Sequence, residues 1–301
     1  MQCFYSDNYH FPLPAGHPFP MHKYAESKEQ LLQLKIIAPE DLLDAGLADL
    51  SDIERVHTKE YIEAIASGLL DKVALRRLGF AWSDRLYIRS LASVNGTIKA
   101  ALGALQNGLA ANLAGGTHHA FSDRGEGYCV FNDVAVAALR LRHQNSKIKI
   151  MVIDLDAHQG NGTNAITRDQ DWIYTYSIHV GSNYPSRKEN GSKDLPVEKM
   201  VDSQTYLNLL KATLPGCIDE FAPHFCFYIA GVDVHQNDRF GQMSLTTEAM
   251  AERDRYTIDQ MRKRKLPLAI VYGGGYNRDR DVTTALHVQT IQIAASYHGS
   301  I

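Results

Sequence analysis

The sequence predicts an α/β protein with a mainly parallel central sheet and helices on both of its faces. Six short apolar runs are typical of buried strands, and they lie at residues 3–5, 110–114, 149–155, 172–177, 225–230 and 268–272. Stretches with helical periodicity lie between them, for example at 84–106, 133–143, 203–221, 246–264 and 279–296. Buried strands that are separated by helices predict parallel pairing.

The positions of chemically reactive residues support this sheet. Each group ends or follows one of the predicted strands: His118 and His119, then Asp154, Asp156 and His158, then Ser177 and His179, then Asp233, and last the segment 273–276. Open α/β sheets place their ligand crevice beyond the carboxyl ends of the strands. We therefore expect these side chains to meet at one edge of the sheet.

Length and composition predict one globular domain over residues 1–301. The chain is 45% hydrophobic and 22% charged, with a formal net charge of −3, which is ordinary for a globular protein. This charge does not attract nucleic acid or an anionic membrane, and no apolar run is long enough to span a bilayer. We expect neither kind of partner, while the oligomeric state stays open.

The cysteines and the N-terminus predict a cytoplasmic location. None of the four cysteines forms a CxxC pair, so neither a thiolate zinc site nor a disulfide framework is indicated. Residues 1–7 lack the basic and apolar regions of a signal peptide.

One stretch carries most of the chemical information. Asp154, Asp156 and His158 alternate at the end of an apolar run, and alternate side chains of a strand share a face. Two carboxylates and an imidazole that converge there repel or titrate unless a positive charge lies between them. Oxygen and imidazole ligands suit a zinc-like dication. The simpler interpretation is a solvated strand end without a metal.

A dication held by Asp156 and His158 needs a third protein ligand and an open coordination position. Asp233 is the best candidate, because it follows an apolar strand in a glycine-containing loop. An ordinary turn or helix-capping aspartate is the alternative. Asp154 lies one residue pair earlier and therefore deeper, where it would orient an imidazole or hold a monovalent cation.

Two further segments suggest catalysis. Near an activated water, His118 and His119 would form a proton-transfer pair, although such pairs also occur as plain core or surface features. Three glycines precede Tyr276, whose hydroxyl could donate to a developing oxyanion. A flexible loop with a packing tyrosine is the alternative. The glycine spacing does not fit a dinucleotide or phosphate loop.

These segments resemble the zinc-dependent histone deacetylase superfamily. They occur in the family's order and span most of the chain from residue 115 onward: GGTHHAFSDRGEGYCVFND (115–133), IDLDAHQGNGT (153–163), SIHVGSNYP (177–185), AGVDVHQNDRFG (230–241) and GGGYN (273–277). SDRGEGYC and DLDAHQGNG are most similar to the class IV branch, as is the HPF segment at 17–19. Residues 30–110 match only weakly.

The resemblance implies a single-domain arginase–deacetylase fold and one Zn²⁺ per chain. It also implies hydrolysis of an N-acyl amide, with an acyl-lysine protein or peptide, or a small N-acyl amine, as the substrate. The implied zinc ligands are Asp156, His158 and Asp233. The implied catalytic groups are His119 as general base, His118 as its electrostatic or acid partner, and Tyr276 as oxyanion donor. The implied supporting groups are Asn161, behind His119, and Asp154, behind His118. Asp154 also belongs, with Ser177, to the family's monovalent cation site, which suits K⁺. The implied acyl-lysine tunnel comprises Gly127, Tyr128, Tyr184, Phe240, Gly274 and Gly275.

The chain departs from the family pattern at three positions. Asn161 stands where many class I members have aspartate, so His119 should be less basic. Lys23 stands where many relatives have arginine, and a lysine is a point charge without the guanidinium fork. Tyr128 replaces the more usual phenylalanine and adds a hydroxyl to the tunnel wall.

Three alternatives to acyl-lysine hydrolysis remain open. An acetylpolyamine amidohydrolase needs acidic residues at the tunnel mouth, and the sequence does not locate them. An arginase-like dinuclear hydrolase needs a second carboxylate-rich ligand set, but Gln159 follows His158 and the acid nearest to Asp233 is Asp238. A non-catalytic scaffold that binds acyl-lysine usually lacks a ligand or the tyrosine, whereas all six key positions are present here.

Overall fold

The computed structural model describes residues 1–297 and contains an eight-stranded sheet whose neighbouring strands are all parallel. The strands are β1 (Cys3–Tyr5), β2 (Leu42–Asp44), β3 (Leu109–Asn112), β4 (Ile150–Asp154), β5 (Ile173–Val180), β6 (Lys193–Val197), β7 (Phe225–Ile229) and β8 (Leu268–Val271). Their order across the sheet is β2-β1-β3-β8-β7-β4-β5-β6. The predicted parallel α/β fold class is confirmed.

Helices connect the strands. They are α1 (Lys23–Gln33), α2 (Leu50–Ile53), α3 (Lys59–Ala66), α4 (Lys72–Leu78), α5 (Asp84–Asn107), α6 (Asp133–Gln144), α7 (Asn161–Thr167), α8 (Ser203–Phe221), α9 (Thr247–Lys263) and α10 (Arg280–Ser296), with two short 3₁₀ helices at Asp7–Tyr9 and Pro39–Asp41. The five helices anticipated from periodicity are α5, α6, α8, α9 and α10, each within one residue of the expected bounds.

The direction of the connections places helices on both faces. α6 and α7 lead from β3 to β4 and from β4 to β5, whereas α8 and α9 lead back from β6 to β7 and from β7 to β8. Because parallel crossovers are right-handed, opposite directions put these helices on opposite faces. In agreement, α5 packs on α6, while α9 packs on α8 and α10.

This reversal creates a crevice between two neighbouring strands. β4 and β7 are paired in the sheet, and the helices that follow them lie on opposite faces. The segments after their carboxyl ends therefore diverge and leave space for a ligand. These segments are 155–160 and 230–246, which contain the predicted metal ligands.

Burial explains which strands were recognised. β3, β4, β7 and β8 are buried along their whole length, so they appear in the sequence as continuous apolar runs. β2 and β6 were not predicted, because both lie at the edges and are only partly buried. β6 has the sequence KDLPV, and its proline is tolerated at an edge.

The helices bear on the expectation about membranes, and the thiols bear on the expectation about the cysteines. No helix within residues 1–297 combines the length and the apolar character that crossing a bilayer requires. The four cysteines are free and buried, and burial raises the pKa of the Cys3 thiol to about 12.

Candidate metal centre and active site

Three side chains form a compact group of metal-ligand type at the crevice. Asp156 and His158 come from the segment after β4, and Asp233 comes from the segment after β7. Each offers an oxygen or nitrogen atom, these atoms lie within 4.8 Å of one another, and all three residues are buried. The structure therefore brings together the three residues that the sequence predicted as zinc ligands.

Backbone amides fix the two carboxylates. The Gly274 amide donates to Oδ2 of Asp156 at 2.7 Å, and the His158 amide donates to Oδ1 of the same carboxylate at 2.9 Å. The Ala157 amide donates to Oδ1 of Asp233 at 2.9 Å. Each carboxylate thus keeps a defined orientation, which leaves Nδ1 of His158 facing both acids at 3.1 and 2.9 Å.

A buried arginine ties the two ligand-bearing segments together. Nη1 of Arg253 on α9 donates to the carbonyl of Leu155 at 3.1 Å and to that of Gly231 at 2.7 Å. Its charge pairs with Asp254, 2.8 Å away and also buried. Sequence reasoning missed Arg253, although it interrupts the apolar stripe of α9 between Met250 and Met261, and a charge on such a stripe needs a buried partner.

The electrostatics of the three ligands fit a bound cation. Burial and the neighbouring Asp156 raise the pKa of Asp233, although His158 opposes this. Burial also disfavours the charged form of Asp156, but His118 and His158 outweigh it and hold its pKa well below the ordinary value. A dication between the two acids and the imidazole would offset the repulsion of the buried carboxylates. Carboxylate oxygens and one imidazole nitrogen suit Zn²⁺ with a coordination position left open.

The two adjacent histidines have different partners. Nδ1 of His118 lies 2.6 Å from Oδ2 of Asp154, at the end of β4. Nδ1 of His119 lies 2.7 Å from Oδ1 of Asn161, the first residue of α7. Their ring centroids are 4.2 Å apart. Asp154 thus lies behind His118, while Asp156 lies with the other predicted ligands.

These partners separate the pKa values of the two rings. Burial lowers the pKa of His118, but Asp154 and Asp156 outweigh burial and raise it to about 9. Burial lowers the pKa of His119 well below its ordinary value, and the charges of His118 and His158 lower it further. These partners favour the doubly protonated form of His118 and the neutral form of His119.

Glu126, which sequence reasoning missed, determines how His119 is protonated. Nδ2 of Asn161 donates to Oε1 of Glu126 at 3.1 Å. A carboxylate only accepts, so the amide of Asn161 must present its oxygen to His119. Nδ1 of His119 then carries the hydrogen, and Nε2 keeps its lone pair. In the sequence Glu126 stands between two glycines, where a carboxylate gives no sign of this contact.

The loop that carries the histidines is held by Asp133, at the start of α6. Its carboxylate accepts from the Gly116 amide at 3.0 Å and from the Thr117 amide at 2.7 Å. A Cβ on Gly116 would lie 2.6 Å from Cα of Gly273, so the histidine loop and the tyrosine loop touch through their backbones. This approach requires glycine, and Gly116 also has a φ of 73°.

Tyr276 lies beside the three ligands, on the loop after β8. Its amide donates to Oδ2 of Asp238 at 2.5 Å, which fixes the loop behind it. Burial raises the pKa of its hydroxyl well above the ordinary value, and Asp156 and Asp233 raise it further. These shifts favour the protonated hydroxyl, which can donate a hydrogen bond, while a bound dication would oppose the effect of the two carboxylates. Lys23 is buried next to the loop and donates to the carbonyl of Gly273 at 3.0 Å.

A cavity of about 350 Å³ leads from the surface to these groups. Four of the predicted tunnel residues line it, namely Gly127, Tyr128, Tyr184 and Phe240, and so do His119, His158 and Tyr276. Gly274 lines a smaller adjoining cavity of about 30 Å³, together with Arg89, a buried residue that sequence reasoning also missed. Gly275 is not among the described residues that line either cavity, because its open side faces Val232 and Thr283.

Ser177 lies beside Asp154 in the sheet, because the two residues are paired in register on β5 and β4. Its hydroxyl is 2.9 Å from Nδ1 of His179. Ser177 and His179 are both buried. The two predicted components of the monovalent cation site are thus neighbours.

Known proteins resemble this chain over most of its length. The model of the histone deacetylase domain matches residues 17–291. An uncharacterised protein of Picosynechococcus sp. is 38% identical over 275 residues, which are 91% of this chain and 92% of that relative. The acetoin utilization protein AcuC of Staphylococcus aureus is 26% identical over 296 residues and shares 89% of this chain and 75% of its own.

A solved structure agrees with this match. The crystal structure of an HDAC homolog complexed with SAHA superposes with a TM-score of 0.82 at 22% identity, over 98% of this chain and 84% of the other. The arginase–deacetylase fold that the resemblance implied is therefore confirmed. The domain match covers most of the chain and both segments that carry the buried ligand group. The chain belongs to the histone deacetylase family.

Proposed function

We propose that this protein is a zinc-dependent hydrolase of N-acyl lysine amides, with acetyl or longer acyl groups. The observation that carries the proposal is the buried group of Asp156, His158 and Asp233, whose ligand atoms lie within 4.8 Å of one another beneath the histidine pair and Tyr276. A bound Zn²⁺ would supply polarisation of the acyl carbonyl and acidification of a water molecule.

The residues of the chain would perform the proton transfers. Nε2 of His119 is free to accept a proton from the attacking water, because Nδ1 is directed to Asn161. The Asp154 carboxylate favours the protonated form of His118, which would stabilise negative charge as it develops. The hydroxyl of Tyr276 would donate to the tetrahedral oxyanion, and a protonated histidine would deliver the proton to the leaving lysine nitrogen.

The walls of the cavity suit the aliphatic stem of an acyl-lysine. Tyr128, Tyr184 and Phe240 line the passage to the three ligands. The ring of Tyr184 lies edge-on to His119, with centroids 4.9 Å apart, and its hydroxyl donates to Glu126 at 3.0 Å. We propose that these rings enclose the methylenes of lysine and exclude water from the amide.

The family branch and the structural monovalent ion are further proposals. The SDRGEGYC and DLDAHQGNG segments support the class IV branch. The neighbouring positions of Asp154 and Ser177 support a structural K⁺. A single catalytic domain over residues 1–301 and a cytoplasmic location remain predictions.

One experiment tests the function. The purified chain is assayed on acetyl-lysine and longer acyl-lysine peptides and on acetylpolyamines, before and after chelation and after return of Zn²⁺. We expect turnover that disappears on chelation and returns with zinc, and one ion per chain by elemental analysis. Asp233→Asn should lose the ion, whereas Asp219→Asn, an exposed aspartate paired with Arg264, should retain it.

Other outcomes favour the alternatives. Two ions per chain would support an arginase-like dinuclear hydrolase. Preferred turnover of acetylpolyamines would move the substrate class to small N-acyl amines. A zinc-loaded chain that hydrolyses none of these amides would be a binding scaffold, and the proposal would be wrong.

A further inference from the structure

The mouth of the active-site cavity is strongly cationic. Its lining includes Arg76, Arg77 and Arg239, and no aspartate or glutamate is among the described residues that line it. The chain as a whole has a formal net charge of −3. The positive charge at the mouth is therefore a local feature and does not follow from composition.

The three arginines are exposed and not engaged with acids of the chain. All three are exposed to solvent. Within residues 1–297 the arginines near the mouth differ in this respect: Arg124 and Arg187 form ion pairs with Asp123 and Glu189, whereas Arg76, Arg77 and Arg239 form none within 4.0 Å. An unpaired guanidinium at a pocket mouth is available for a carboxylate of the substrate.

The segments that carry the arginines are attached to the tunnel wall. The carbonyls of Arg77 and Leu78, at the end of α4, accept from the amides of Gly127 and Tyr128 at 3.2 and 2.8 Å. A Cβ on Gly79 would lie 2.7 Å from the Tyr128 ring. The charges of α4 therefore keep a defined position beside the passage.

Arg239 approaches from a different segment, after β7. Its guanidinium lies 5.2 Å from the centroid of the Phe240 ring. Oδ1 of Asp238 accepts from the amides of Phe240 and Gly241 at 2.8 and 3.0 Å, which fixes the turn. Burial raises the pKa of Tyr128, and the charge of Arg239 opposes this shift. Burial and the neighbouring Glu126 raise the pKa of Tyr184, and the charge of Arg77 opposes them more weakly. Each arginine thus lies close to one of the two tyrosine walls.

We infer that the rim formed by Arg76, Arg77 and Arg239 selects acyl-lysines that lie within acidic peptide segments. This inference rests on the proposed acyl-lysine hydrolysis. The acyl group would occupy the bottom of the cavity, so the peptide on either side of the lysine remains at the mouth, next to the guanidinium groups. The same charges repel the cationic chain of an acetylpolyamine and the basic sequences around many lysines.

The test compares peptides that differ only in their flanks. Zinc-loaded enzyme is given one acyl-lysine with aspartates, with neutral residues or with lysines on both sides, together with free Nε-acyl-lysine and an N-acetylpolyamine. We expect kcat/KM for the acidic peptide to exceed that for the neutral one by about tenfold, since three exposed ion pairs each contribute a small factor. The difference should lie in KM and shrink as salt is added.

Variants assign the preference to the rim. In Arg76→Gln/Arg77→Gln/Arg239→Gln the ratio of acidic to neutral peptide should fall to about one, and in Arg77→Glu/Arg239→Glu it should favour the basic peptide. Arg255→Gln, which changes an exposed arginine of α9 outside the cavity lining, should leave the ratio unchanged. Binding of fluorescent versions of the peptides, followed by anisotropy, gives the same ratio without turnover.

The outcomes separate this inference from the proposed function. Equal kcat/KM for acidic and neutral peptides, or a preference that survives in the triple variant, would overturn the rim as a selector while leaving acyl-lysine hydrolysis intact. If free Nε-acyl-lysine is the best substrate, the arginines bind a single α-carboxylate. That result would also overturn the inference that they select acidic peptide segments. Absence of zinc-dependent turnover on every peptide would count against the hydrolase itself, and the anisotropy ratio would still decide the role of the arginines.

Discussion

Asn161 presents its amide oxygen to Nδ1 of His119 at 2.7 Å. The adjacent ring, His118, instead faces the carboxylate of Asp154 at 2.6 Å. An amide behind one imidazole and a carboxylate behind the other give neighbouring histidines opposite proton affinities, since only the carboxylate stabilises an imidazolium. The proposed base and the protonated partner are thus distinguished before substrate binds.

Exchange of this amide for a carboxylate should change the pH dependence. Asn161→Asp places a negative charge next to His119, which raises its pKa, so the acidic limb of the kcat/KM profile should move to higher pH by about one unit or more. Glu126 lies 3.1 Å from the same side chain and would repel the new charge. The profile is therefore measured in a Glu126→Gln background, with the single Glu126→Gln variant as reference. An unmoved acidic limb would mean that His119 is not the base.

Loss of the Tyr276 hydroxyl should affect the chemical step alone. Tyr276→Phe removes the proposed oxyanion donor and should lower kcat by about 10²–10³, because a donor aimed at developing charge contributes on this order. The ring remains between Tyr128 and Phe240, so folding should be unchanged. Zinc content by elemental analysis should equal that of the wild type. A variant that retains wild-type turnover would contradict the role of the hydroxyl.

Glu126 should act on catalysis through Asn161 and Tyr184. Glu126→Ala removes the acceptor of both residues, so the amide of Asn161 is free to turn and the tautomer of His119 is no longer fixed. We expect kcat to fall on the order of 10-fold, since small misplacements of a catalytic group are costly. Glu126→Gln keeps an acceptor oxygen and should restore most of the activity. Equal effects of both substitutions would show that charge, and not orientation, is the contribution of Glu126.

Arg253 should contribute strongly to stability. Arg253→Met leaves the Asp254 charge buried without its partner and releases the carbonyls of Leu155 and Gly231. Removal of one member of a buried ion pair costs about 3–5 kcal/mol in the free energy of unfolding. The exposed Arg255, on the same helix, provides the matched control, and Arg255→Met should change stability by about 0.5 kcal/mol or less. Urea unfolding of both variants measures the difference, and similar midpoints would refute the buried-pair argument.

The candidate metal ligands, which the structure brings together, could be located from the sequence because their spacing is local. Asp156 and His158 alternate directly after an apolar run, and Asp233 follows the strand that becomes the neighbour of that run in the sheet. The carboxyl ends of parallel strands thus place reactive side chains along one edge of the sheet, even when the order of the strands is unknown. The alternation itself ends sooner than expected, because β4 stops at Asp154 and the two ligands lie in the following segment.

Other parts of the site could not be predicted, because they depend on contacts between distant segments. Glu126 meets Asn161 across 35 positions, and Arg253 reaches Leu155 across 98. Neither residue belongs to a periodic or spaced pattern with its partner. The cationic rim likewise joins α4 to the segment after β7, which no sequence pattern connects.

The contact between Gly116 and Gly273 has a consequence for the order of events at the active site. Because the two loops touch backbone to backbone, a displacement of one loop would be passed to the other, so the imidazole pair and the phenol are positioned together. We therefore expect this part of the machinery to be assembled before substrate binds. A mimic of the tetrahedral intermediate should therefore inhibit without a slow-onset phase, at a rate set only by its passage through the opening.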